Sequence, residues 1–139
     1  GEGTFVSLLN FLHAHAPAPV TRQIARLAAR DEARHVAFGM AHLGLQLADD
    51  PALVARLVNA VEARFDDLSG TSGLNEDVFD ALILLAAGAS DGPAIAAGYV
   101  HLQTLLQDMA RGREARLAKL GFPAADAKRL AALHTRNFM

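Results

Sequence analysis

The chain contains no cysteine and no tryptophan among its 139 residues, and it has a single tyrosine. Without cysteine, disulfides, thiolate metal sites and cysteine nucleophiles are excluded, so any transition-metal site has to be built from Asp, Glu and His. Valine, isoleucine and threonine together supply only 16 residues, whereas alanine supplies 29 and leucine 21. Because strands favour β-branched residues and helices favour alanine and leucine, this balance predicts an all-α fold rather than a sandwich or barrel.

Long apolar runs are also missing. The longest run, residues 81–89, is far shorter than the ~18 residues that a membrane span needs. No signal peptide is recognisable at the start of the sequence. The formal net charge of −2 argues against nucleic acid or an anionic membrane as the main partner. We therefore expect a cytoplasmic protein without a membrane or nucleic-acid partner.

Turn signals divide the chain into six predicted helices joined mostly by short connections. Pro17 ends the first helix, Asp50 and Asp91 are predicted N-caps, and residues 69–73 form the longest loop. Short connections favour antiparallel neighbours, so we expect one antiparallel helical bundle over residues 1–139. The expected helices cover about residues 2–15, 20–48, 51–68, 75–89, 92–120 and 124–137.

The stretch that indicates chemistry lies in the second predicted helix. Glu32 and His35 are three residues apart, so both project from one face of that helix and can ligate the same metal ion. Glu2 is the natural third ligand, because Pro17 lies midway between Glu2 and Glu32 in the sequence. If the first two helices fold back on each other there, the two carboxylates lie level, roughly 20 Å from the bend.

These residues resemble a known family. Residues 2–5, Glu-Gly-Thr-Phe, followed about thirty residues later by Arg-Asp-Glu-x-x-His at 30–35, are similar to the second half of a ferritin-like di-iron carboxylate bundle. The ribonucleotide reductase small subunit and its oxidase-like relatives are the nearest parallels, and Asp-Glu-x-Arg-His also recurs in bacterial multicomponent monooxygenases and arylamine oxygenases. The resemblance covers about residues 2–47 and leaves residues 50–139 as additional packing helices.

The resemblance implies a ligand set and a cofactor. Family sites take one Glu from each of two helices and a Glu-x-x-His from each of the other two. Glu2 would be the lone Glu, Glu32 and His35 the second Glu-x-x-His, and Asp31 would orient a ligating histidine of the partner helix. Such ligands suit two iron ions, or manganese, and the resemblance implies an oxidase or oxygenase that activates dioxygen to oxidise a small-molecule substrate.

The chain departs from the family pattern in one respect. The other lone Glu and the first Glu-x-x-His should precede Glu2, and no downstream glutamate is followed by a histidine at the third position. We therefore expect the chain to be the C-terminal part of a longer polypeptide whose N-terminal half completes the site. Two alternatives remain open: a homodimer that rebuilds the site from two chains, and a metal-free helical scaffold or interaction module.

The residues around this motif have structural interpretations as well. Seven residues of the second predicted helix recur at alternating steps of three and four and form a seam that is predicted to face other helices. The small residues in this seam favour close helix packing over room for oxygen or substrate. Within it, His42 is too far along the helix to share an ion with His35, so we expect a buried or partly buried, hydrogen-bonded histidine. The seam consists of Ala25, Ala28, Glu32, His35, Gly39, His42 and Gln46.

Overall fold

The computed structural model describes residues 2–65, 67 and 76–136, and the side chains of residues 3–65, 67 and 76–133. All regular secondary structure in these ranges is α-helical, which confirms the predicted fold class. The six helices of the described residues are α1 (Glu2–His15), α2 (Pro19–Asp49), α3 (Leu53–Ala63), α4 (Glu76–Ala87), α5 (Gly92–Lys119) and α6 (Ala124–Arg136).

Most predicted helix boundaries are confirmed to within two residues, and the exception is α3. This helix ends at Ala63 rather than near residue 68. Asp91 caps α5 as predicted, since its carboxylate accepts a hydrogen bond from the Ala94 amide at 3.0 Å. Asp50 instead follows the last turn of α2, and its carboxylate holds the Ala52 amide in the turn before α3. The predicted loop at 69–73 lies outside the described residues.

Helices α1 and α2 form an antiparallel hairpin around Pro17. The Arg22 guanidinium donates to the carbonyl oxygens of Ala16 and Pro17, at 2.8 and 3.2 Å, which fixes the turn. His13 lies one turn before Ala16 in α1, and its Nδ1–H donates to the Arg22 carbonyl oxygen at 2.9 Å. These bonds hold the end of α1 level with the start of α2, so the predicted fold-back at Pro17 is confirmed.

The first hydrophobic core joins α1 to α4 and α5. Its centre is Met109, which is 2% exposed. Helices α4 and α5 approach closely where Gly98 faces the backbone of α4, because a Cβ at Gly98 would lie 2.3 Å from the Ile83 carbonyl oxygen. The buried residues of this core are Phe11, Leu82, Leu102, Leu105 and Met109.

The second hydrophobic core gathers the end of α2, helix α3 and helix α6. Leu47 of α2 and Val58 of α3 pack there against Leu130 of α6. The turn between α5 and α6 places Phe122 in the same core, and Gly121 makes that turn possible by adopting a φ of 84°. Helix α5 supplies three buried residues to the first core and packs Leu117 against the second.

Helix α2 is packed on one side only over much of its length. It lies along α1 and has a small contact with α3, whereas α1 also packs on α5. Of its 31 residues, Ala25, Ala29 and Leu47 are buried. Among the described residues, the face of α2 that points away from α1 is therefore open.

No single helix among the described residues is both long and apolar enough to cross a membrane. Helices α4 and α5 meet that requirement only when taken together, and they are bent by 116° at the break between them.

Candidate metal centre on helix α2

Glu32 and His35 face each other on α2, as their spacing predicts. The His35 Nδ1–H donates to Glu32 Oε2 at 3.3 Å. The Glu32 side chain is 26% exposed and the His35 side chain is 66% exposed, so the pair lies at the edge of the α1–α2 contact. Two ligand atoms that each lie ~2.1 Å from one ion, at angles of roughly 90–110°, are about 3.0–3.4 Å apart. The spacing of this oxygen and nitrogen therefore fits one edge of a coordination polyhedron without rearrangement of the backbone.

Asp31 precedes Glu32 and lies on a more exposed part of the helix. Its carboxylate accepts a hydrogen bond from Arg34 at 3.0 Å, and both side chains are more than half exposed. An exposed pair of this kind adds little to stability, about 0.5 kcal/mol or less. The predicted role of Asp31, orienting a histidine of a partner helix, needs a helix that the described residues do not contain.

Glu2 is the first residue of α1, and its side chain lies outside the described residues. The register of the hairpin nevertheless locates its backbone. His13 bonds to Arg22, and eleven residues further along each antiparallel helix Glu2 comes level with Ala33. That position is one residue from Glu32, so the hairpin brings the backbone of the third predicted ligand to the height of the other two.

The predicted seam faces another helix in its first half only. Ala25 is buried and Ala28 and Glu32 are partly buried against α1, whereas from His35 onward the seam is exposed. Among the described residues, α1 lies beside α2 only up to about Ala33. The expectation that all of these residues meet other helices is therefore wrong for Gly39 and Gln46.

His42 is likewise exposed rather than buried, so the prediction of a buried, hydrogen-bonded histidine is wrong. Its ring stacks on Phe38, with centroids 6.2 Å apart and ring planes within 5° of parallel. Phe38 is itself 74% exposed. Both side chains are exposed in the part of the chain that the structure describes.

A cationic groove continues the line of α1 beyond Glu2. It runs between α2, from Ala33 to Gly44, and the end of α5, where Arg116 and Lys119 line it. Arg116 also lies over Gly3, where an added Cβ would meet its guanidinium. Burial lowers the pKa of Arg116, which still leaves it charged near neutral pH.

Arg113 is a buried cation that the sequence analysis did not identify. Its guanidinium donates to the Thr4 hydroxyl at 3.0 Å and to the Ala131 carbonyl oxygen at 3.3 Å, which connects α1 and α6 through α5. Burial, with a smaller contribution from the charge of Arg116, lowers the pKa of Arg113 to about 10. Nothing in the local sequence distinguishes Arg113 from the other arginines, because its partners are remote along the chain.

His15 and His101 form a second pair that sequence analysis missed. Their ring centroids are 4.8 Å apart, and His15 also packs on Phe11 at 4.5 Å. The two histidines are far apart in the sequence, and only the packing of α1 on α5 brings them together. No local spacing could therefore have indicated the pair.

Among the residues whose side chains are described, no three His, Asp or Glu side chains converge closely enough to hold a metal ion. Glu32 and His35 supply one oxygen and one nitrogen ligand, the donor types that iron and manganese take in carboxylate-rich sites. A metal site built on this pair would therefore need further ligands from beyond the described residues.

No family model, no curated protein and no solved structure matches this chain.

Proposed function

We propose that the α1–α2 hairpin carries half of a ferritin-like dinuclear iron or manganese site, and that the complete protein is an oxidase or oxygenase that uses dioxygen. The observation that carries the proposal is the Glu32–His35 pair, whose facing ligand atoms are 3.3 Å apart on the helix that α1 leaves open. The hairpin register, which brings Glu2 level with Ala33, supports a third ligand at the same height.

The missing ligands would come from further sequence of the same polypeptide or from a second copy of the chain. Either source has to approach α2 on its open side, where Glu32 and His35 remain accessible. The exposed apolar side chains of α2 would become buried in that contact, which favours association. They are Val20, Ile24, Leu27, Phe38 and Leu45, each at least 39% exposed.

Within such a site the residues of this chain have distinct tasks. When bound, a pair of iron ions supplies the electrons that reduce dioxygen and allow a nearby substrate to be oxidised. Glu32 and His35 would hold one ion by adjacent ligand atoms, and Glu2 would add a carboxylate from the opposing helix. Asp31 would accept a hydrogen bond from a histidine on the incoming helix, which fixes the orientation of that ring.

The open face of α2 also favours a second candidate function, a metal-free interaction module. Phe38 and Leu45 are 74% and 69% exposed, and large exposed apolar side chains on one helix face indicate a surface that binds a partner. In this case Glu32 and His35 would be an ordinary surface pair. The two candidates differ in whether association of the chain depends on metal.

Mn(II) titration followed by electron paramagnetic resonance, with sedimentation of the same samples, tests the proposal. We expect the chain to bind two ions per dimer, and Glu32→Gln or His35→Asn to weaken binding more than tenfold. Glu76→Gln, an exposed residue at the start of α4, is the matched control and should bind as the wild-type chain does. If the chain alone binds no metal, a longer polypeptide that supplies a second Glu-x-x-His should bind two ions. If neither the chain nor the longer polypeptide binds metal, or if Glu32→Gln binds it as tightly as the wild-type chain, the metal-site proposal is wrong and the interaction module remains.

The stability of the metal-free chain provides an independent prediction. Because Glu32 pairs with a histidine that is 66% exposed, Glu32→Gln should change the free energy of unfolding by no more than about 0.5 kcal/mol. Urea unfolding at neutral pH measures this directly. A loss above about 2 kcal/mol would identify Glu32 as a structural residue and argue against its selection as a ligand.

A further inference from the structure

Two histidines from different helices meet at the end of the molecule opposite the Glu32–His35 pair. His15 is the last residue of α1, and His101 lies in the third turn of α5. Their ring centroids are 4.8 Å apart, with ring planes inclined by 53°. Between α1 and α5 at this point there is an open depression of about 280 Å³, which both rings line.

We propose that His15 and His101 form a second metal site, which binds one borderline divalent ion such as Zn²⁺ or Cu²⁺ and thereby links α1 to α5. An imidazole nitrogen ~2.0–2.1 Å from an ion places the ring centroid about 3.2 Å from it. Two such rings on one ion then have centroids about 4.5–5.2 Å apart, for angles between square-planar and tetrahedral. The observed separation falls inside this interval.

The surroundings of the pair permit ligation. His101 is exposed and His15 is partly buried, so a nitrogen of each ring can turn toward the depression by rotation about χ2, which is a soft torsion. The His15 ring also contacts Phe11, with ring centroids 4.5 Å apart. The depression is open to water, which completes the coordination of an ion held by two imidazoles.

The choice of metal follows from the ligands. Imidazole nitrogen suits Zn²⁺, Cu²⁺ and Ni²⁺, whereas Mn²⁺ prefers oxygen ligands. The carboxylate that lines the same depression, Asp108, already binds Arg111. A pair of imidazoles without a free carboxylate therefore selects against manganese, in contrast to the carboxylate-containing pair on α2.

The two sites are independent of each other. His15 and Glu2 are at opposite ends of α1, thirteen residues apart, which is about 20 Å along the helix. Removal of either site should therefore leave ion binding at the other unchanged. Failure of the histidine pair to bind zinc would say nothing against the proposed iron or manganese site, and the reverse also holds.

Isothermal titration with ZnCl₂ and CuCl₂ at pH 7.5, together with nitrogen-15 spectra of the imidazoles, tests this site. In the Glu32→Gln chain, which lacks the carboxylate of the α2 pair, we expect one ion per chain and shifted nitrogen resonances for His15 and His101. Because two linked ligands bind cooperatively, His15→Asn or His101→Asn should each weaken binding about 100-fold. His42→Asn, which removes an exposed histidine of α2, and Glu32→Gln should leave this binding unchanged.

The thermal midpoint gives a readout that does not depend on spectroscopy. An ion that holds α1 to α5 in the folded state raises the midpoint further as the free ion concentration increases above the Kd, and this rise should vanish in the His15→Asn, His101→Asn double variant. If the double variant binds Zn²⁺ and Cu²⁺ as tightly as the wild-type chain, or if neither ion shifts the resonances of both rings, the proposal is wrong.

Discussion

At the scale of single residues, packing and hydrogen bonding set the pKa values of His15 and Asp50. Burial, and secondarily the charge of His101, lowers the pKa of His15 below its ordinary value of 6.5. Hydrogen bonding to Arg56 at 2.5 Å lowers the pKa of the Asp50 carboxyl. The charged form is therefore stabilised at Asp50, whereas it is destabilised at His15. Spacing in the sequence indicates neither shift.

The lowered pKa of His15 makes stability depend on pH. Since the unfolded chain binds a proton at His15 more readily than the folded chain does, the unfolding free energy should fall as pH drops through 6.5. Above pH 6.5 this contribution is constant. His101 faces His15 from α5, and Asp108 in the same depression is bound by Arg111.

Urea unfolding of the zinc-free chain between pH 8 and pH 5 measures this dependence. His15→Asn should remove part of the loss between pH 6.5 and pH 5, and His42→Asn, remote from the pair, should follow the wild-type curve. An unchanged slope in His15→Asn would show that the proton uptake occurs elsewhere.

At the scale of helices, two glycines in similar secondary structure have opposite surroundings. Gly98 of α5 is buried where α4 crosses, and an added Cβ would lie 2.3 Å from the Ile83 carbonyl oxygen and 3.0 Å from the Ala87 amide nitrogen. Gly39 of α2 has nothing within 4 Å of the same position. One glycine allows two helices to approach, and the other lies on the open face.

Alanine at these two positions should therefore change stability in opposite directions. Gly98→Ala forces α4 and α5 apart and should cost about 1–3 kcal/mol of unfolding free energy. Gly39→Ala removes only backbone freedom from the unfolded chain and should add about 0.5–1 kcal/mol. Thermal or urea unfolding of the two variants tests both predictions. Equal effects would contradict the close crossing of α4 and α5.

At the scale of the whole molecule, α5 is the central helix and the second half of α2 is peripheral. Arg113 connects α5 to Thr4 and to the Ala131 carbonyl. Helix α5 also supplies buried residues to the first hydrophobic core and packs Leu117 against the second. Residues 33–46 of α2, by contrast, include no buried residue, and α2 rejoins a core near its end, where the partly buried Leu43 and the buried Leu47 pack in the second core.

Hydrogen exchange should reflect this difference. Amides of residues 33–46 should exchange faster than those of residues 102–113, because few buried apolar contacts oppose local opening of that half of α2. Mass spectrometry of peptides from the two segments measures the ratio. Addition of metal or of the proposed partner should slow exchange in residues 33–46. Equal protection of the two segments in the isolated chain would contradict the open arrangement of α2.

The sequence alone determined the helical class, most helix boundaries and the fold-back at Pro17. These features follow from local causes: alanine and leucine content, proline and glycine at the turns, and the capping carboxylate of Asp91. The proximity of Glu32 and His35 was predictable for the same reason, since three residues along a helix is a fixed distance.

Only the tertiary structure decided which of the helical faces are covered. The seam on α2 predicts contact along its whole length, yet in the described residues α1 lies beside it only up to about Ala33, and His42 is exposed. The burial of Arg113 and the meeting of His15 with His101 depend on how α1 and α6 pack on α5. Periodicity in a sequence indicates that a face can be buried, but the length and position of the neighbouring helix determine whether it is.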